Sequence, residues 1–208
     1  NQLDKYLDKL IEFGFITNKK PYTLTSLGKF TNSFKGINLL ITKSILSIAG
    51  YSSKDNIVLK KEFDNKTEND KKMLLGLLIY LLIKTGNIFT TELPSKYATY
   101  ADKRSDLIPM IRILCDYYQN ETMKPKNISP SFGVDFQKAF SIYEYMNNFI
   151  NDVFRFNNNK NAMNTKQVFY KLKKYVEKLA NTDKLYDFIQ QFLFEIQREE
   201  PEFINSRR

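Results

Sequence analysis

Met73–Ile83 reads MLLGLLIYLLI, and the use the chain makes of this run decides the architecture. Its length argues first: a helix needs roughly 17 to 25 apolar residues to cross a bilayer, and this run has 11. Its flanks argue second. Lys71, Lys72 and Lys84 bracket it, and Gly86 stands where a helix closes in the left-handed conformation. With no polar face inside the run, the expectation is a buried helix over Lys71–Lys84, the centre of a bundle.

The neighbouring segments read as helices of the ordinary amphipathic kind. Leu3, Leu7, Leu10 and Ile11 recur on one helical face, with Asp4, Lys5, Asp8 and Lys9 between them, and Gly14 ends that helix. FGFITNKKPYTLTSLGKF, Phe13–Phe30, then predicts a short strand, a turn over Asn18–Pro21 and a second strand at Tyr22–Leu24. Together these make a small β-wing. Thr25 or Ser26 caps a helix that runs through Leu27 and Phe30 to Gly36, and a further helix covers Leu39–Ala49. Gly50–Asp70 is polar at both ends and reads as a loop-rich insertion.

Beyond the central helix, SDLIPMIRILCDYYQ has a cap at Ser105 and puts Leu107, Ile108, Ile111, Leu114 and Tyr118 on one side. Pro109 falls in its first turn, where a missing amide costs little. NETMKPKNISPSFG is a linker with two prolines, and Phe136–Phe156 is a helix carrying Phe140, Tyr143, Met146 and Val153 at helical spacing. After the break FNNNKNAMN, two helices over Thr165–Ala180 and Asp183–Arg198 are joined by a connection short enough to make them antiparallel. The fold class expected is mainly α: a small winged helix over residues 1–36, a helical bundle over 37–156 with its insertion near 51–70, and a helical extension over 157–208.

Composition narrows the chemistry. The chain has 208 residues, 42% of them hydrophobic, and a net charge of +9, the balance of a folded protein with a polyanionic partner. Lys, Asn, Ile, Tyr and Phe are abundant together, as an A/T-rich genome would impose, so charge alone does not carry the partner. There is no His and one Cys, which removes the usual general base, every nucleophile–His dyad and a Zn site. Cys115, inside IRILCDYY, reads as a small core hydrophobe in a reducing interior. No Gly-x-x-x-x-Gly-Lys-Ser/Thr loop occurs, since TKS at 42–44 lies within an apolar helix with Gly36 too far back. Asp4, Asp8, Glu199 and Glu200 sit on wet faces. The chain is therefore expected to hold no catalytic centre, no metal and no cofactor. It opens at Asn1 with no basic-then-apolar leader, as a later part of a longer polypeptide would.

The order of elements adds a family resemblance. The helix ending in Leu10, the turn at Gly14, Ile16 and then Leu24, Thr25, Leu27 and Gly28 resemble the degenerate winged helix that follows the motor domains of DEAH-box (DEAH/RHA) helicases. Leu81–Gln119 is similar to that family's ratchet-like helical bundle, with Ile88, Phe89, Ser105, Asp106, Leu107 and Tyr117 or Tyr118 at the motif positions, and Val134–Phe154 is similar to a later bundle helix. The resemblance covers about residues 2–50 and 72–155. It departs at the 51–70 insertion, at a missing Trp-Cys after the aromatic helix, at a missing oligonucleotide-binding barrel and over the last 50 residues; such divergence resembles a helicase of a poxvirus-like or giant DNA virus. It implies a module that lines the tunnel of single-stranded RNA or DNA and packs against motor domains of the same polypeptide. ATP and Mg²⁺ would belong to those motors, and the setting would be intracellular, cytoplasmic or virion, with no membrane contact.

Candidate strand contacts follow from the basic residues. Lys19 and Lys20 sit on the wing tip, with Lys29 and Lys35 on the next helix. Lys103 and Arg104 precede the helix after Asp106, where free amides would also face phosphate. Lys171, Lys174 and Lys178 share one face of helix 165–180, opposite Val168, Leu172 and Val176. Tyr22, Tyr97 and Tyr100, in polar surroundings, are candidate stacking platforms, whereas Phe136, Phe140, Phe188 and Phe192 read as core. Two alternatives stay open. One is a stand-alone winged-helix transcription factor reading duplex DNA with Ser26–Lys35, although SLGKFTNSFK offers no Arg. The other is a helical protein-interaction domain.

Overall fold

Eight α-helices and one 3₁₀ turn make up the regular structure of the computed structural model, which describes residues 1–51, 68–90, 93, 95–120, 133–154 and 164–199. In chain order they are α1 (Gln2–Glu12), α2 (Ser26–Thr31), α3 (Leu39–Ile48), α4 (Glu68–Thr85), the 3₁₀ turn (Ser95–Tyr100), α5 (Leu107–Gln119), α6 (Phe136–Phe154), α7 (Thr165–Ala180) and α8 (Lys184–Glu199). The expected insertion at 52–67, most of the linker at 121–132 and the break at 155–163 lie outside the described residues.

The run that opens the sequence is the middle of α4, and all of Met73–Ile83 is buried. Four helices, α3, α5, α6 and α7, pack on it directly. Gly76 lets α8 close in as well: a Cβ added there would lie 3.2 Å from the Phe192 ring and 3.7 Å from Ile45 of α3. The glycine thus sits where three helices converge. No described helix is long and apolar enough to cross a membrane.

The broadest pairing in the bundle is α5 on α7. Ile111, Leu114, Cys115 and Tyr118 of α5 and Val168, Phe169, Leu172 and Val176 of α7 are all buried, and the rings of Tyr118 and Phe169 meet edge-on with centroids 4.8 Å apart. Two ion pairs flank the seam, Arg112 with Glu177 at 2.7 Å and Lys173 with Asp116. A step of four residues forward in α5 is matched by four residues back in α7, so the helices run antiparallel. Tyr118 also donates its buried hydroxyl to the Ala139 carbonyl at 2.5 Å, which ties α5 to α6. At the base of α6, Ile88–Thr90 pairs with Gly133–Asp135 through Thr90 N–H to Gly133 O at 2.9 Å and Asp135 N–H to Ile88 O at 2.7 Å.

Caps mark most of the boundaries the sequence suggests. Side chains of Asn1, Thr25, Asn38, Asp135 and Asn164 accept backbone N–H groups at the starts of α1, α2, α3, α6 and α7, each satisfying a donor with no helical partner. At α7 the bond is reciprocal, because Gln167 accepts from Asn164 N–H at 2.9 Å. Ser105 takes the Leu107 N–H at 3.3 Å, ahead of the position from which α5 starts. Helix ends agree with expectation to within a few residues, except that α2 stops at Thr31 instead of Gly36. There the chain continues through tighter i to i+3 bonds at Ser33 and Phe34, as Asn32 and Ser33, poor helix-interior residues, would favour.

The N-terminal segment differs from expectation in two ways. No strand forms among the described residues: the predicted wing is a hairpin turn held by one antiparallel bridge, Ile16 with Leu24. Thr17 N–H reaches Thr23 O at 2.9 Å and Thr25 N–H reaches Phe15 O at 3.0 Å. Each arm is only a few residues long before Gly14 turns one into α1 and Thr25 turns the other into α2, so the ladder has no room to extend. Second, the apolar face of α1 is covered only in part, with Leu10 packed half-buried against the core. No α1 residue is buried, and Leu3 and Tyr6 are 63% and 61% exposed.

The hairpin instead docks on α2 through Gly28. A Cβ added at Gly28 would stand 1.9 Å from the Phe15 carbonyl oxygen, a backbone atom that cannot step aside alone. Gly28→Ala is expected to cost about 2 to 3 kcal/mol by overpacking, read as a shift in the urea midpoint at unchanged slope. Gly36→Ala, at φ +73 with open space around it, should cost about 1 kcal/mol, the left-handed penalty alone.

Candidate nucleic-acid interface

Helix α7 has two faces of opposite character. Inward, Val168, Phe169, Leu172 and Val176 show no exposed surface. Outward, Lys166, Tyr170, Lys174 and Lys178 are all exposed and recur every four residues, a step of about 6 Å along the helix axis. The Lys174 ammonium stands 4.4 Å from the centroid of the Tyr170 ring, a cation–π contact that holds both side chains in one row. Tyr170 keeps half of its surface in solvent.

Beside this row runs an open groove of about 680 Å³, lined by Gln119, Tyr170, Lys174, Lys178 and Asn181 together with Lys173 and Glu177. Lys173 and Glu177 already hold Asp116 and Arg112, so those four charges cancel in pairs. The surplus charge of the groove comes from Lys174 and Lys178. Lys178 also lines a second cleft, of about 400 Å³, where the end of α7 meets the starts of α4 and α8 and where Lys72 and Lys184 face Glu68 and Asp187. Lys178 is thus shared by both clefts.

The other basic candidates lie on separate elements. Lys19 and Lys20 are exposed at the hairpin turn, with Tyr22 40% exposed beside them. Lys29 is exposed on α2, and Lys35 is ion-paired with Asp152 of α6 at 3.2 Å. Lys103 is exposed. Arg104 has a different role from the phosphate contact expected of it: its guanidinium reaches Asp102 at 2.8 Å and Asp183 at 2.7 Å and lies 4.6 Å from the Tyr186 ring centroid. It clamps the loop before α5 onto the α7–α8 turn. Lys171 is half-buried on the flank of α7 and engaged in contacts of its own.

Of the three aromatic candidates, Tyr97 is interior and Tyr100 half-buried. Tyr97 is 7% exposed, and its ring packs 5.4 Å from that of Tyr100; Tyr100 in turn lies under the Arg112 guanidinium at 4.1 Å. Both rings are thus engaged within the fold. Of the residues read as core, Phe188 and Phe192 are buried, whereas Phe140 is 37% exposed and stacks on half-buried Phe136. Tyr170 was the aromatic that sequence reasoning missed. The signal was present in its four-residue spacing with Lys166, Lys174 and Lys178.

Cys115 shows no exposed surface, and burial pushes its thiol well above the ordinary range, which leaves it inert as a nucleophile. Among the described residues no group of three or more Cys, Asp or Glu is placed to hold a metal ion. Compared with family models, curated proteins and solved structures, the chain matches none.

The Arg104 clamp has a titration signature. Hydrogen bonds from the Arg104 side chain, then from its backbone N–H, hold the Asp102 carboxyl down at about 2. A depressed carboxylate contributes stability above its unfolded value, about 3.9, and loses it as pH falls through the folded one. An NMR titration of the Asp102 carboxyl should show its midpoint near 2, rising part of the way toward the ordinary range in Arg104→Gln, which keeps the backbone N–H of residue 104. An unchanged midpoint in that variant would remove the clamp from the account.

Proposed function

We propose that this chain is a non-catalytic accessory region of an ATP-dependent nucleic-acid helicase of the DEAH type. In this reading residues 1–36 act as a degenerate winged helix reduced to a hairpin, and the bundle acts as a stiff wall along the path of a single RNA or DNA strand. Motor domains elsewhere on the same polypeptide bind ATP and Mg²⁺ and push the wall, which moves as a body because a close-packed core does not deform.

The observation that carries the reading is the outer row of α7. Exposed Lys174 and Lys178 stand on a helix whose opposite side is entirely buried, so their positions are fixed by the core and not by a flexible loop. Backbone-directed lysines on a rigid element suit a strand of any sequence. The uncovered side of α1, with Leu3 and Tyr6, is the apolar surface offered to the motor domains. Duplex reading by α2 has less support, since its six residues expose Lys29 alone and give little for bidentate base contacts.

Fluorescence anisotropy with a labelled single strand at several salt concentrations tests the reading. The wild-type chain should bind with a steep salt dependence. Lys174→Gln and Lys178→Gln should each weaken it and flatten the log–log slope by about 0.7, one phosphate contact apiece. Absence of salt-dependent binding by the wild type, or nucleotide hydrolysis by the chain alone, would overturn the proposal.

A further inference from the structure

Resting on that reading, we infer that the groove along α7 holds the bases of a single strand as well as its phosphates, and that Tyr170 is the stacking platform. The Tyr170 ring is half in water and is the one aromatic among the polar and charged residues that line the groove. It sits at the lip of a groove, with a lysine ammonium 4.4 Å from its ring centroid and Lys178 one turn beyond.

The geometry points to an unpaired strand. Successive groups in the row Lys166, Tyr170, Lys174 and Lys178 are about 6 Å apart along the axis, comparable with the spacing between phosphates of an extended strand. A base that stacks on Tyr170 in place of the Lys174 ammonium frees that ammonium for its own phosphate or the next one, and brings the following phosphate to Lys178. The groove walls supply Gln119 and Asn181, amides that both donate and accept and so tolerate any base edge. The acidic neighbour on the same wall, Glu177, is held by Arg112 at 2.7 Å, so no uncompensated carboxylate opposes the strand. A duplex would not expose a base to the ring. RNA and DNA share this chemistry, since nothing in it requires a 2′-hydroxyl.

The test measures the full chain against oligo-dT and oligo-U of equal length and against an abasic strand of the same charge. Tyr170→Ala should weaken both base-bearing strands about tenfold, the loss of one stacked base, and leave the salt slope as in wild type. Tyr170→Phe should bind like wild type. The abasic strand should bind weakly from the outset and be indifferent to Tyr170→Ala. A preference of oligo-U over oligo-dT lost in Tyr170→Ala would assign the groove to RNA, and the reverse preference to DNA; equal affinity would assign it to both. If Tyr170→Ala binds as tightly as wild type while Lys174→Gln and Lys178→Gln weaken binding, stacking is overturned and the strand-guiding reading stands. If the wild type binds no strand, both fail together.

Discussion

Burial of one helix on all sides is the constraint from which the remainder of this molecule follows. Over Met73–Ile83 helix α4 has no polar side to offer water, so the chain has to supply enough apolar surface to enclose it. Five helices do so, and each arrives with a single apolar stripe. Because their inner faces are spent on α4 and on one another, their polar residues are obliged to face outward. The basic exterior is thus partly a by-product of enclosing the centre. What distinguishes α7 is that an aromatic ring breaks its polar side at the same four-residue interval as its lysines.

The charged groups fall into two populations. Arg104, Arg112, Lys173 and Lys35 meet carboxylates within the fold, and their charge is consumed in holding loops and helices together. Lys174 and Lys178 touch the groove instead. Net charge counted along the sequence treats these alike, and the distinction between structural and available cations appears only once the partners are placed. Exposed pairs such as Lys35 with Asp152 add little to stability. Half-buried Arg112 with Glu177 does more, since removing either partner strands a charge away from water.

Helices were readable because their signals are local: a periodic apolar stripe, a capping Asn or Thr, a closing Gly. Thr165–Ala180 is an example, bounded by Asn164 with Gln167 at one end and an apolar face that never breaks. Interactions between distant segments were less readable. The alternation around Phe15–Leu24 suggested strands, yet pairing length depends on how soon each arm is captured by a flanking helix. Tyr97 looked wet because Ser95, Lys96 and Thr99 surround it in sequence, while its ring is taken up by the 3₁₀ turn packed on α5. The stripe of α1 pointed to the core, but only its Leu10 end packs there, while Leu3 and Tyr6 stay exposed. Among the proposed strand contacts, Lys174 and Lys178 were visible as part of a stripe, whereas Lys171, grouped with them, is half-buried and engaged on the flank; Arg104 was seen as a cation without its two carboxylates, which lie 2 and 79 residues away.

The crossed ion pairs between α5 and α7 act as a vernier. Each helix carries one cation and one anion a turn apart, Arg112 and Asp116 on one, Lys173 and Glu177 on the other. Sliding either helix by a single turn in one direction would set Arg112 against Lys173, and in the other Asp116 against Glu177. Both wrong settings oppose like charges, whereas apolar side chains in the seam would accept several. Four residues therefore give an oily joint a single detent, and the rotation of α7 that aims its outer row is fixed by groups that never touch that row.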